Sequence, residues 1–232
     1  MRKILLGLLV LAVAAIAFVA YREWQPASKA TPGASASDGP RPFEVKPDDR
    51  VMGSADAPVT IIEYASMTCP HCAHFAVDVL PQVKSTLIDT GKARLVFRDF
   101  PLDGLALRAA MLVRCVGNDR AFGMIDLLFS RQMQWAASQD PRSALQSIVA
   151  QAGMSEEQFN ACIENQDALN AVVQSRTDAE QTYDIKSTPS FLINGQLVVG
   201  AYEAPEFTKL VEEAASGAAV SPSSTSSSTP AR

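Results

Sequence analysis

The chain has 232 residues, a formal net charge of -5, 47% hydrophobic and 19% charged residues. This balance excludes a wholly disordered protein, and the acidic total sets nucleic acid aside as a partner because no basic excess is present to neutralise phosphates. Small molecules, proteins or a membrane remain, and the length suits one sizeable domain once the ends are discounted.

Residues 1–21 open with Arg2 and Lys3, followed by an unbroken apolar run from Ile4 to Ala20. This is the charged-then-apolar order of an export signal, and Ala15-Ile16-Ala17 offers a small-residue cleavage site. The run is also nearly long enough to cross a bilayer, with Tyr21 and Trp24 suited to the outer interface. Residues 1–21 therefore read as a signal peptide or a retained membrane anchor, in which case residues 4–20 are a membrane tether. Either outcome places the rest of the chain in the periplasm or another extracytoplasmic space. Residues 22–42 are dominated by Pro, Ala, Ser, Gly and Thr and read as a disordered linker, and residues 216–232 read as a disordered Ser-rich tail. One folded domain is expected over residues 43–215.

Within it, Val59 to Tyr64 is β-branched and apolar, bounded by Pro58 and Ser66, and predicts a buried strand. Residues 70–90 carry helical spacing in Phe75, Val79, Val83 and Leu87; Gly91 stops the helix and Pro81 kinks it. Ala93 to Phe100 returns to strand composition, so the first unit is β-α-β with a parallel strand pair. A helical block follows: Leu105 to Val116, Ala121 to Ala136, Pro141 to Ala152, Ser155 to Asn165, and a longer helix from about Asp167 to Tyr183. Asp140-Pro141 is an N-cap with proline at the first helical position, and Ser155 with Gln158 has the capping-box pattern. The apolar stripe of Met111, Met124, Leu127, Leu128, Phe129 and Met133 is expected to pack in the core. Ser190 to Ile193 and Gln196 to Val199 flank Asn194-Gly195, a strong hairpin signal, and Ala204 to Ala215 closes the domain as a helix. The expected fold is α/β, with a helical insertion over about residues 104–183 between a β-α-β unit and a β-hairpin-α unit.

Cys69-Pro70-His71-Cys72 lies where the first strand hands over to the first helix. Cysteines three apart share one helical face and are close enough for a disulfide to open and close without unfolding the chain. Cys69 falls at the helix N-terminus, where unpaired N–H groups and the macrodipole favour a thiolate, while Cys72 lies further in. The spacing thus predicts a nucleophile and a resolving thiol. Pro70 preorganises the first turn, and His71 adds to the stabilisation of the Cys69 thiolate if it is protonated or donates a hydrogen bond.

The segment Glu63 to Cys72, the later Thr188-Pro189 before Ser190-Phe191-Leu192-Ile193-Asn194-Gly195, and the helical block between them resemble the DsbA-like branch of the thioredoxin superfamily over nearly all of residues 43–215. The resemblance implies a thioredoxin-like fold and an enzyme that donates disulfides to exported proteins with free cysteines. It implies a Cys69–Cys72 redox pair needing no further cofactor and a membrane redox partner that reoxidises it. It also implies a cis proline at Pro189 packed against the pair, and a buried acid at Glu63 that assists proton transfer. Glu63 also admits a plain reading as an exposed strand carboxylate. A cis X-Pro bond leaves the preceding backbone free to pair with an extended peptide, which makes Thr188 a substrate-docking position. Cys115 and Cys162, in different helices of the insertion, tend to pair in an exported chain, and some relatives carry a second disulfide there. Such a loop stabilises by about 4 kcal/mol on the chain-entropy argument; two buried, unpaired thiols are the alternative. Two further alternatives stay open: a reductase or isomerase on the same fold, and a metal site built from Cys69, Cys72 and His71 or His74.

Overall fold

The computed structural model of the protein describes residues 41–217, so the expected export signal, most of the linker and most of the tail lie outside the described residues. Five strands form one sheet: β1 (Arg50–Met52), β2 (Val59–Ala65), β3 (Ala93–Asp99), β4 (Ser190–Ile193) and β5 (Gln196–Val199), in the order β1-β3-β2-β4-β5. Strands β2 and β3 run parallel, with Ile61 opposite Leu95, while β1, β4 and β5 pair antiparallel with their neighbours. A parallel pair requires a crossover, which residues 70–88 supply as helix α1.

Helix α1 is not a plain α-helix. Its first turn, Pro70–His74, passes into a π-helical turn at Phe75–Val79, an α-turn at Leu80–Val83 and a second π-turn at Lys84–Ile88. Pro81 is the physical reason: it has no N–H to donate and its ring crowds the carbonyl one turn back. The turn before Pro81 relaxes by widening its hydrogen bonds, the Leu80 N–H reaching the Phe75 carbonyl; the second π-turn lies downstream of Pro81, with the Asp89 N–H on the Lys84 carbonyl. The kink expected at Pro81 takes this form.

The helical insertion comprises α2 (Gly104–Cys115), α3 (Asn118–Ser130), α4 (Gln132–Ala136), α5 (Pro141–Gln151), α6 (Glu156–Ile163) and α7 (Gln166–Tyr183), and α8 (Ala204–Ala215) closes the fold. Asp140 caps α5 through the Ser143 N–H, and Ser155 and Gln158 form the reciprocal capping box of α6. The expected single helix over residues 121–136 is two, because the chain breaks at Arg131, where φ is -108° and ψ 12°. The break changes the face that follows it: Met111, Met124, Leu128 and Phe129 are buried, but Met133 is 72% exposed and leaves the core stripe.

Both sheet faces are covered, which is why every residue of β2 is buried. On one face Val59, Ile61, Leu95, Phe191 and Ile193 pack against α1 and α8. The rings of Phe75, Phe191 and Phe207 meet there with centroids 4.8 to 5.0 Å apart, clamping the N-terminal part of α1 to β4 and α8. On the other face Ile62, Tyr64, Val96 and Leu192 pack against Ala179 and Tyr183 of α7. A third apolar cluster fills the insertion and includes Met67, Cys69 and Cys72.

The chain entering the domain is fixed to the β4–β5 hairpin. The Arg41 N–H donates to the Gly195 carbonyl at 2.7 Å, and its guanidinium donates to the Tyr183 carbonyl at 3.0 Å. Arg41, within the stretch expected as linker, is thus held to the folded domain. Asn194 and Gly195 both have positive φ, and a Cβ on Gly195 would collide with the Arg41 backbone, so glycine is required there by geometry and by close approach.

Among the described residues, charge is buried mainly around β1 and β3. Asp99 accepts from Arg50 at 3.2 Å and from Arg114 at 2.8 Å, and Arg98 pairs with Asp49 at 2.7 Å.

Candidate active site

Strand β2 ends at Ala65, and Ser66, Met67 and Thr68 turn the chain into Cys69, whose extended backbone (φ -78°, ψ 119°) makes it the N-cap of α1. The Cys69 N–H donates to the Ser66 carbonyl at 3.0 Å, and the Cys69 carbonyl accepts the Ala73 N–H at 3.1 Å. No side chain caps this helix, so its first N–H groups remain available to whatever sits on the Cys69 sulfur.

The turn is held from outside. The Ser66 hydroxyl accepts the Leu102 N–H at 3.2 Å, and the Thr68 hydroxyl donates to Asp103 at 2.6 Å. The other oxygen of Asp103 caps α2 through the Leu105 and Ala106 N–H groups. From α4, the side-chain amide of Gln132 donates to the carbonyls of Met67 at 2.9 Å and Cys69 at 3.0 Å.

Opposite the turn, the Thr188–Pro189 peptide is cis, and the Cys69 thiol lies 3.4 Å from the Thr188 carbonyl oxygen. The Thr188 hydroxyl is buried without a hydrogen-bond partner among the described residues. Cys69 is 6% exposed and Cys72 fully buried, and both are free thiols.

The two sulfurs are driven apart in acidity. A hydrogen bond from the Cys72 thiol, followed by the Thr188 side chain and the Cys72 and His71 backbone N–H groups, lowers Cys69 to about 5 against the opposing effect of burial. Burial, the bond to Cys69 and the nearby Glu63 push Cys72 well above the ordinary thiol range. Glu63, on β2 between Phe97 and Phe191 on the flanking strands, is 2% exposed. Burial, and then the charge on Cys69, raise it to about 8, and one of its carboxyl oxygens has no hydrogen-bond partner among the described residues. Cys69, Cys72, Glu63, Thr188 and Pro189 are thus brought into one site. His71 contributes through its backbone, while its imidazole is exposed and has no hydrogen-bond partner among the described residues.

His74 lies outside this group, with its ring nitrogens 2.9 Å from Asp78 and 3.3 Å from Glu203. Cys115 and Cys162 form a disulfide, S–S 2.04 Å, between α2 and the end of α6. Among the described residues no cluster of three or more His, Cys, Asp or Glu side chains is placed to hold a metal ion, and no helix is long and apolar enough to cross a membrane. Sequence reasoning missed Gln132 and Asp103, whose contacts with the turn join residues 63 and 35 positions apart.

The chain is similar to known proteins in sequence and fold. A family model described as thioredoxin matches residues 45–213. The crystal structure of alpha-DsbA1 from Wolbachia pipientis is 31% identical with a TM-score of 0.69, covering 76% of this chain and 94% of that one. A protein of Rickettsia conorii provisionally named a protein-disulfide oxidoreductase is 33% identical over 174 residues; the match covers 74% of this chain and 62% of that protein. BdbD from Bacillus subtilis, in its oxidised form, shares the fold at a TM-score of 0.63 and 22% identity.

Proposed function

The chain belongs to the thioredoxin superfamily, in its DsbA-like branch, and from that premise we propose that it is a thiol-disulfide oxidoreductase that donates the Cys69–Cys72 disulfide to exported proteins with free cysteines. The observation that carries this reading is the split between the two sulfurs: Cys69 at about 5 on a helix N-terminus, and Cys72 raised behind it. A stabilised thiolate favours the reduced enzyme, and so makes the disulfide form the stronger oxidant.

In the oxidised enzyme a substrate thiolate attacks the Cys69 sulfur, the only one of the pair with any exposure. The Cys69–Cys72 bond breaks, and its electron pair leaves on Cys72, which takes up a proton because its acidity is so weak. A second substrate thiolate then attacks the substrate sulfur of the mixed disulfide and expels Cys69 as a thiolate. The substrate is oxidised by two electrons and the enzyme reduced by two. Glu63, near neutrality at about 8, is suited to pass the Cys72 proton in either direction. Thr188 is the residue where an extended substrate backbone docks beside the sulfur.

Residues 1–21 would deliver the domain to the periplasm as a cleaved signal or hold it at the membrane as an anchor, and a membrane redox partner would restore the disulfide. The test is to trap Cys72→Ser complexes in cells and to measure the reduction potential of the Cys69–Cys72 couple. Exported proteins bound through Cys69 and a potential well above that of thioredoxin support the reading. A thioredoxin-like potential makes the enzyme a reductase, and an absence of trapped partners overturns exchange altogether.

A further inference from the structure

Gln132 is 5% exposed, yet it carries an amide whose burial is unfavourable unless its hydrogen bonds are made. They are made to the active-site turn: the one nitrogen donates to the Met67 carbonyl at 2.9 Å and the Cys69 carbonyl at 3.0 Å. These carbonyls belong to the peptide planes on either side of Thr68-Cys69, so a single side chain fixes the orientation of both. The break at Arg131 is what aims it. Continuing α3 without interruption would leave this face elsewhere, whereas the restart at Gln132 points the amide inward and leaves Met133 72% exposed. Helix α4 is itself anchored, because the fully buried Trp135 donates its indole N–H to the Leu128 carbonyl at 2.8 Å.

We propose that Gln132 is a positioning residue for thiol-disulfide exchange, holding the Cys69 sulfur over the N-terminus of α1 from within the helical insertion. The proposal rests on the reading of Cys69 as the exchanging sulfur. Two effects follow from the geometry. The bonds keep the Cys69 side chain in register with the backbone N–H groups of His71 and Cys72. They also give the Cys69 carbonyl a second donor beside the Ala73 N–H, further offsetting its negative end next to a thiolate on the same residue. A glutamine amide does not titrate, so it serves both redox forms alike.

The experiment compares the parent protein with Gln132→Met and Gln132→Leu, which fill much of the same space, carry no charge and remove the donors. Three quantities are measured on each: thiolate absorbance of the reduced protein across pH, the exchange constant against glutathione, and the thermal midpoints of both redox forms. The proposal expects the Cys69 titration to move up by about one pH unit. It expects the exchange constant to shift about tenfold, about 30 mV, towards a weaker oxidant. A merely structural role lowers both thermal midpoints equally and leaves titration and exchange constant in place, which overturns the proposal, as does failure of both variants to fold. A parent protein whose Cys69 titrates like ordinary cysteine overturns instead the reading of the site, so the two failures are distinguishable.

Discussion

The sulfur of Cys69 lies 3.4 Å from the backbone carbonyl oxygen of Thr188. A thiol can donate across that gap, but a thiolate cannot, so ionisation exchanges this contact for donors: the Cys72 thiol first, then the Thr188 side chain and the helix N–H groups. The buried Thr188 hydroxyl, without another partner among the described residues, is free to turn to the charged sulfur. Thr188→Val removes the hydroxyl at nearly constant shape. The Cys69 midpoint, read by alkylation of the reduced protein, is expected to rise from about 5 by roughly half a pH unit or more. An unchanged midpoint removes Thr188 from the set of groups that tune the sulfur.

The same ionisation makes stability depend on pH in one redox form. Cys69 titrates at about 5 in the fold against 9.0 for an ordinary thiol. Its contribution is therefore complete above pH 9, shrinks as pH falls, and is gone below about 5. The disulfide form has no such group. Chemical denaturation of both forms at pH 4, 7 and 9 is expected to show the reduced form gaining on the oxidised form across that window.

Glu63 works in the opposite sense. Its value of about 8 lies above the ordinary 4.5, so the fold is penalised for ionising it. The penalty is absent below pH 4.5, grows up to about pH 8 and is constant beyond. Glu63→Gln removes the dependence. The variant is expected to gain roughly 1–3 kcal/mol on the parent between pH 4 and pH 8, while substrate oxidation slows because the Cys72 proton loses its relay. Parallel stability curves for the two proteins contradict the assignment.

Asp99 is the shared anion of two arginines, Arg50 at 3.2 Å and Arg114 at 2.8 Å, and both it and Arg50 are buried. Asp99→Asn leaves the Arg50 charge uncompensated, at an expected cost of about 3–5 kcal/mol. The loss should appear in both redox forms with little change in reduction potential.

The Cys115–Cys162 disulfide closes a span of 47 residues across the insertion. Replacing both by alanine is expected to lower stability by up to about 4 kcal/mol through the greater freedom of the unfolded chain. Denaturation of the double variant measures it, and a loss below about 1 kcal/mol would show that the unfolded chain is already restrained there.

The sequence was readable where chemistry and geometry are written in consecutive residues. Cys69 to Cys72, the Asn194-Gly195 hairpin, the caps at Asp140 and Ser155 and the strands β2 to β5 are of this kind. Strand β1 was not, because it has three residues and one is Arg50, whose burial depends on Asp99, 49 positions away. The break at Arg131 has no glycine or proline beside it to announce it. Gln132 consequently reads as one more polar residue on a surface helix, and Met133 as core. The face used by Glu63 was equally hidden, since alternation along β2 carries no information when both sides of the strand are covered.

Arg41 enters the fold at the tip of the β4–β5 hairpin, where Asn194 bonds to Thr60 near the start of β2. Strand β2 then runs from that end to Ala65, roughly 16 Å, before the chain reaches Cys69. Arg41 and the reactive sulfur thus lie towards opposite ends of strand β2. A label attached at Arg41 would therefore report on the domain from about one strand length away from the sulfur it is meant to leave undisturbed.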